Sequence, residues 1–207
     1  MHGHRVPILK PDQSYTFHSY FKMRYPVDEI LQELGASFAV GDIVFPGVEA
    51  QPTEAVAELQ ARLQKRRQRI RLGSEAARRE ALIAPVLLEV ADLVEAIVNI
   101  EYPVEVNQFL GGDLDYLLEA NHRVLVVEAK QADLTRGFTQ LATELIALDQ
   151  WVELEDPLLY GAVTTGDIWQ FGCLDRVAKR VTQDAMLYRV PTDLMPLVEI
   201  LMGILQG

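Results

Sequence analysis

Cysteine is nearly missing from this 207-residue chain, and the single one, Cys173, excludes an intramolecular disulfide and a thiolate zinc cluster. No secreted, disulfide-stapled fold is expected. Basic residues are scarce relative to acids, 19 Lys and Arg against 30 Asp and Glu, and the formal net charge of -11 argues against a protein that coats nucleic acid through bulk charge. Long uncharged apolar runs are missing too: the greasiest stretches are broken by Glu89, Asp92 and Glu95, and the opening MHGHRVPILKPDQ lacks the apolar centre of a signal peptide. Neither export nor membrane spanning is expected, which makes a reducing cytoplasm the expected location. Internal repeats and low-complexity tracts are absent. Of the histidines, His2, His4 and His18 have no ligand-like spacing and His122 suits a turn, so none is read as catalytic.

What the chain does contain is enough apolar material, 49% of residues, for a buried core in one sizeable domain or a domain with an appendage. The first fifty residues mix Tyr15, Phe17, Tyr20, Phe21 and Tyr25 with Pro7, Pro11, Pro26 and Pro46, predicting loops and short elements around one helix near Val27 to Leu34. The aromatics there suit core or interface packing better than base stacking. Thr53 is a helix-cap candidate, and Val56, Leu59, Leu63 and Ile70 form a stripe that runs to a stop at Gly73. Ser74 caps the next helix, whose Leu82, Ile83, Val86, Leu87 and Val90 face a core and whose Pro85 predicts a kink or an irregular turn.

Beyond this point the apolar period changes to about two. Strands are predicted at Ile100 to Val106, Asp113 to Ala120 and Arg123 to Lys130, a helix from about Thr135 to Leu148, and strands at Leu158 to Val163 and Ile168 to Cys173. The last two are joined by a turn at Thr165-Gly166-Asp167. A short strand at Met186 to Val190 and a helix from Thr192 to Leu205 follow. The order predicts an α/β fold with a central mixed sheet flanked by helices. Residues 1–72 read as a mainly helical extension, suited to dimerisation or to contacting DNA, and 73–207 as the core domain. Trp151, Trp169 and Cys173 are expected to be packing residues.

The chemistry concentrates in GGDLDYLLEANHRVLVVEAK, Gly111 to Lys130. With Asn121 and His122 as the central residues of a tight hairpin, opposed residues have numbers summing to 243. Asp115 then faces Glu128 and Asp113 faces Lys130, all on one side of the sheet with Leu117, Val124 and Val126. The other side carries Leu114, Tyr116, Leu118, Leu125 and Val127. Two carboxylates so opposed can share one cation, and a hairpin apolar on both faces belongs in the middle of a covered sheet. Burying such acids costs several kcal/mol unless something compensates.

Asp115, the sequence Glu128-Ala129-Lys130 at the end of the next strand, and Gln140 on the following helix together resemble the core of the PD-(D/E)XK nuclease superfamily. SEAARREALIAPVL resembles the helix that precedes its three-stranded meander, and GAVTTGDIWQF a hairpin that follows its motif helix. The likeness spans roughly Ser74 to Leu174; it departs at Leu114, where the family pattern has a proline that many members lack. It implies a restriction-endonuclease-like fold and a Mg²⁺-dependent nuclease, with Mn²⁺ able to substitute, acting on DNA rather than RNA. By the same likeness Asp115 and Glu128 would bind the metal, Lys130 would activate water and stabilise the developing charge, and Gln140 would support the site. Glu75, at the start of the preceding helix, would complete the acidic set, ahead of Glu80 and Glu89.

Other readings of the same residues remain open. Asp113 could take the place of Asp115 or neutralise Lys130, Glu128 and Lys130 could form an ordinary ion pair, Gln140 and Glu144 could be a polar helix face, and Glu75 could be a first-turn acid. Between Arg62 and Arg79 lie eight basic residues and one acid, a local +7 that leaves -18 for the rest. That run is either a solvated helix face or a phosphate-tracking strip through Arg66, Arg67, Arg69 and Arg78. Helix Thr53 to Ile70 could also pair with its copy in a homo-oligomer. A non-enzymatic interaction module, as a subunit of a larger complex, is the alternative function.

Overall fold

A computed structural model of the chain describes residues 7–153 and 155–207. His2 and His4 lie outside the described residues. The fold is α/β: an eight-stranded mixed sheet with helices on both faces. In chain order the elements are α1 (Phe17–Lys22), α2 (Val27–Glu33), β1 (Ser37–Gly41), α3 (Thr53–Arg69), α4 (Glu75–Arg78), a π-helical turn (Arg79–Ile83) and α5 (Ala84–Val94). There follow β2 (Ile97–Asn107), β3 (Leu110–Ala120), β4 (Arg123–Ala129), α6 (Leu134–Trp151), β5 (Leu158–Thr164), β6 (Ile168–Asp175), β7 (Arg180–Asp184), β8 (Tyr188–Arg189) and α7 (Leu194–Gln206). The sheet order is β1-β7-β6-β5-β4-β3-β2, with β8 added to β6; β1 with β7 and β4 with β5 run parallel, the other pairs antiparallel.

The expected hairpin forms. Asn121 and His122 both take positive φ, 49° and 60°, and the pairs from Ala120–Arg123 to Tyr116–Val127 follow the expected register. Both faces of this hairpin are covered. Tyr116, Leu118, Leu125 and Val127 join the core beneath α3, α5 and α7, while Leu117, Val124 and Val126 join the core beneath α6. Leu114, expected beside Tyr116, packs instead with Leu117 and Phe17 on the α6 side. The alternation breaks at Asp115, where the β3–β4 ladder ends and where Glu101, between the β2 residues paired with Tyr116 and Leu114, has φ 53°.

Several other expectations are corrected. Helix α3 begins at Thr53 after Pro52 and ends at Arg69, with Ile70 already extended, so neither Thr53 nor Gly73 caps it. Its Val56, Leu59 and Leu63 are buried in the main core, and β1 pairs with β7, so parts of the stretch 1–72 are built into the sheet and its core. Phe17–Lys22 is helical, and β1 and β7, five residues each and too short to carry a period, are strands because neighbouring strands pair with them. Met186 to Val190 is reduced to the two residues of β8.

Ser74 caps α4 as expected, accepting from the Ala77 N–H at 3.2 Å. The irregularity foreseen at Pro85 lies just before it, in the π turn. Proline has no N–H to donate and its ring crowds the carbonyl four residues back, a conflict that a wider turn relieves. Among the described residues, no helix is long and apolar enough to cross a membrane.

Candidate functional site

Strand β4 delivers Glu128, Ala129 and Lys130 to the end of the sheet where β3 diverges from it. Asp115 marks that divergence: its Oδ2 accepts the Ala129 N–H at 2.8 Å, replacing the next rung of the ladder. Lys130 donates its backbone N–H to the Thr164 carbonyl on β5, so it does not face Asp113, which is exposed and pairs with Pro103 on β2. The Lys130 ammonium instead turns back onto Glu128 Oε1.

Helix α6 closes the site from above. Asp133 caps its start, accepting from the Arg136 N–H at 3.2 Å. Gly137 permits the close approach, since a Cβ there would stand 2.7 Å from Val163 Cγ2 and 3.0 Å from Lys130 Cγ. One turn on, Gln140 Nε2 donates to Glu128 Oε1 at 2.7 Å and to Glu144 Oε1 at 2.9 Å. The structure thus brings Glu128, Lys130 and Gln140 together, with Asp115 alongside.

Glu144 joins them, where the sequence suggested only a polar helix face. Its position four residues after Gln140 was the available signal. What periodicity does not reveal is that α6 is buried all round from Gly137 to Leu148, so that Glu144 is fully enclosed. Glu128 and Glu144 both accept from the Gln140 amide, which sets the two carboxyls side by side. Burial pushes the Glu144 pKa up to about 7. Burial, then the Glu144 and Asp115 charges, also holds Glu128 well above the ordinary carboxylate range. Burial alone would lower Lys130, but the Glu128 carboxylate overrides it and keeps the ammonium charged. Carboxyls whose pKa values are raised, beside one ammonium, lessen the net charge that this low-dielectric interior has to hold.

Three buried oxygens here have no hydrogen-bond partner: Glu128 Oε2, Gln140 Oε1 and Glu144 Oε2. Among the described residues no group of three or more His, Cys, Asp and Glu side chains is arranged to hold a metal ion. Two of the unpartnered oxygens are carboxylate and one is amide, whereas both Asp115 oxygens are engaged elsewhere. Arg79, from the π turn, brings Nη1 to 3.5 Å from Asp115 Oδ1 and 3.4 Å from Glu101 Oε1, with its guanidinium 5.3 Å from the Tyr116 ring centroid. Sequence reasoning had left Arg79 in the general basic run.

Glu75 lines a cleft of about 290 Å³ together with His18, Phe21, Lys130 and Asp133. Of the nominated arginines, Arg67 and Arg78 are tied into the fold, both paired with Asp167 at 2.6 and 2.5 Å and both donating to backbone carbonyls. Arg66 has a buried Nη1 without a partner, and Arg69 is exposed. These four are thus not a uniform strip. Cys173 and Trp169 are buried as expected, whereas Trp151 is 41% exposed.

No family model matches the chain, and no curated protein matches it. Its chemistry has to be argued from these side chains.

Proposed function

We propose that this protein is a Mg²⁺-dependent nuclease with a restriction-endonuclease-like core, hydrolysing phosphodiester bonds in DNA. The observation that carries the reading is Glu128. It is a glutamate 1% exposed at a strand end, with one oxygen engaged by Lys130 and Gln140 and the other without a partner. Holding a carboxylate so deep costs several kcal/mol unless charge and hydrogen bonds offset it, which gives the site a use for a cation.

The residues fit such an ion. Carboxylate oxygens are the donors that Mg²⁺ prefers, and Mn²⁺ accepts the same set. Glu128 would hold it through Oε2, and Asp115 would do so on release from Arg79. When bound, the ion would lower the pKa of a water and polarise the scissile phosphate. Gln140 fixes the Glu128 carboxylate by donating to Oε1. Lys130, kept protonated, offers positive charge to the phosphoryl oxygens as the phosphorus is attacked. Glu75 faces Lys130 across the cleft and is the third acid available there.

The test is cleavage of plasmid, linear and single-stranded DNA, and of RNA, with Mg²⁺ or Mn²⁺, comparing the native protein with Glu128→Ala and Lys130→Ala. Metal-dependent cleavage lost in both variants supports the reading. No cleavage of any nucleic acid, or equal activity in the variants, rejects it.

A second reading, a non-enzymatic module within a larger assembly, is favoured by Asp115 itself. One of its oxygens is engaged by the Ala129 N–H and the other lies beside Arg79, which leaves it satisfied without a metal. Absence of Mg²⁺ binding by calorimetry, together with tight binding to a protein partner, would select this reading.

A further inference from the structure

Helix α1 is seated firmly over the open end of the site. Phe17 and Tyr20 point inward and are buried, the Tyr20 hydroxyl donates to the Phe109 carbonyl at 2.5 Å, and Gly112, at φ 136°, lets Phe17 approach to 3.1 Å of where a Cβ would stand. Helical spacing then assigns His18 and Phe21, three residues apart, to a different side. Both line the cleft that contains Lys130 and Glu75.

Their rings form a short column. Lys130 Nζ stands 5.2 Å from the Phe21 ring centroid, and the His18 ring lies nearly parallel to Phe21, 9° between planes and 5.9 Å between centroids. His18 is exposed, so the column starts at the lysine nominated for catalysis and ends in solvent. Lys22 and Arg24, both exposed, follow on the same segment. Partial burial, then Lys22 and Lys130, lower the pKa of His18, which keeps its ring neutral at pH 7. Of the acids in the cleft, Asp133 is engaged by Arg136 and the start of α6, which leaves Glu75.

Aromatic rings beside cations are what a nucleotide with an unpaired base recognises, since the base stacks while its phosphates meet the ammonium groups. A base held within a duplex offers no free face to such a column. We propose that the exposed face of His18, backed by Phe21, is a stacking platform for an unpaired nucleobase whose strand runs on into the cleft that contains Lys130, so that the substrate class is single-stranded or locally unpaired nucleic acid. This inference rests on the nuclease reading for its placement and is tested by binding alone.

The probe is a 12-nucleotide single-stranded DNA carrying one 2-aminopurine, compared with the same sequence as a duplex, both in EDTA so that nothing is cut. The native protein should bind the single strand at least tenfold more tightly and quench the 2-aminopurine. His18→Ala, an exposed change without folding risk, and Phe21→Leu, which keeps apolar cover over Lys130, should each weaken single-strand binding about tenfold and restore fluorescence. Equal affinity for the duplex, or unchanged binding and quenching in both variants, overturns the platform. Parallel cleavage assays in Mg²⁺ separate the two ideas. Cleavage without strand preference or quenching removes the platform alone, whereas quenched single-strand binding without cleavage keeps the platform and removes the nuclease.

Discussion

Arg79 Nη1 lies 3.5 Å from Asp115 Oδ1, at side-chain exposures of 18% on each side, so a guanidinium of the chain itself occupies the neighbourhood a divalent cation would need. On the proposed reading, a bound cation would compete with Arg79 for this carboxylate. Arg79→Gln should therefore raise Mn²⁺ affinity, by roughly fivefold for a pair worth about 1 kcal/mol. Isothermal calorimetry checks this, and an unchanged or weakened affinity would show that Asp115 takes no part in holding the ion.

Glu144 carries a pH signature. Its pKa in the folded chain, about 7, lies above the ordinary glutamate value of 4.5, so between those values the folded state holds a proton that the unfolded state has released. The stabilising contribution of the protonated form is complete below about pH 4.5 and is lost as pH rises through about 7. Each unit of elevation corresponds to about 1.4 kcal/mol. Glu144→Gln, which cannot ionise, should thus gain stability relative to the native protein at pH 8 compared with pH 5. Urea unfolding at both values measures it, and a difference independent of pH would refute the assignment.

Removing the lysine should act in the same pH window. Lys130→Met strips Glu128 of its charge partner, and breaking a buried pair costs about 3–5 kcal/mol when the remaining group stays ionised. Burial raises the pKa of both carboxyls, so acid neutralises them more readily than ordinary glutamates and the loss should shrink toward pH 5. Thermal melts of the variant at pH 5 and pH 8 should diverge from the native curve mainly at the higher pH.

Gly137→Ala tests the approach of α6 to β4 and β5. The added methyl would meet Val163 Cγ2 at 2.7 Å and Lys130 Cγ at 3.0 Å, neither of which is the free end of a long side chain. Overpacking of this kind costs about 1–3 kcal/mol. Chemical denaturation should show that loss, and the proposed cleavage should weaken with it because Lys130 is pushed aside.

The sites that were legible in the chain are those set by local rules. Asn121-His122 tolerates positive φ, and the period of two on either side dictates the register, so the sequence alone groups Asp115, Glu128 and Lys130. Ser74 as a cap and Pro85 as the source of irregularity were equally local. Gln140 came from the likeness to the nuclease superfamily and not from a local rule. The expected opposition of Asp113 and Lys130 failed for a reason outside the pattern: the ladder stops at Tyr116–Val127, and β5 takes the Lys130 N–H.

What the sequence determined by itself is the α/β character, the central hairpin and the acidic strand end, because alternation and turn chemistry act over a few residues. Tertiary structure alone decided the burial of Glu144, the reach of Arg79 to Asp115 and the column of His18 and Phe21 beside Lys130. Each depends on how a helix is seated on the sheet by segments distant in sequence, and long-range burial, rather than any local spacing, sets the charge state and neighbours of those side chains.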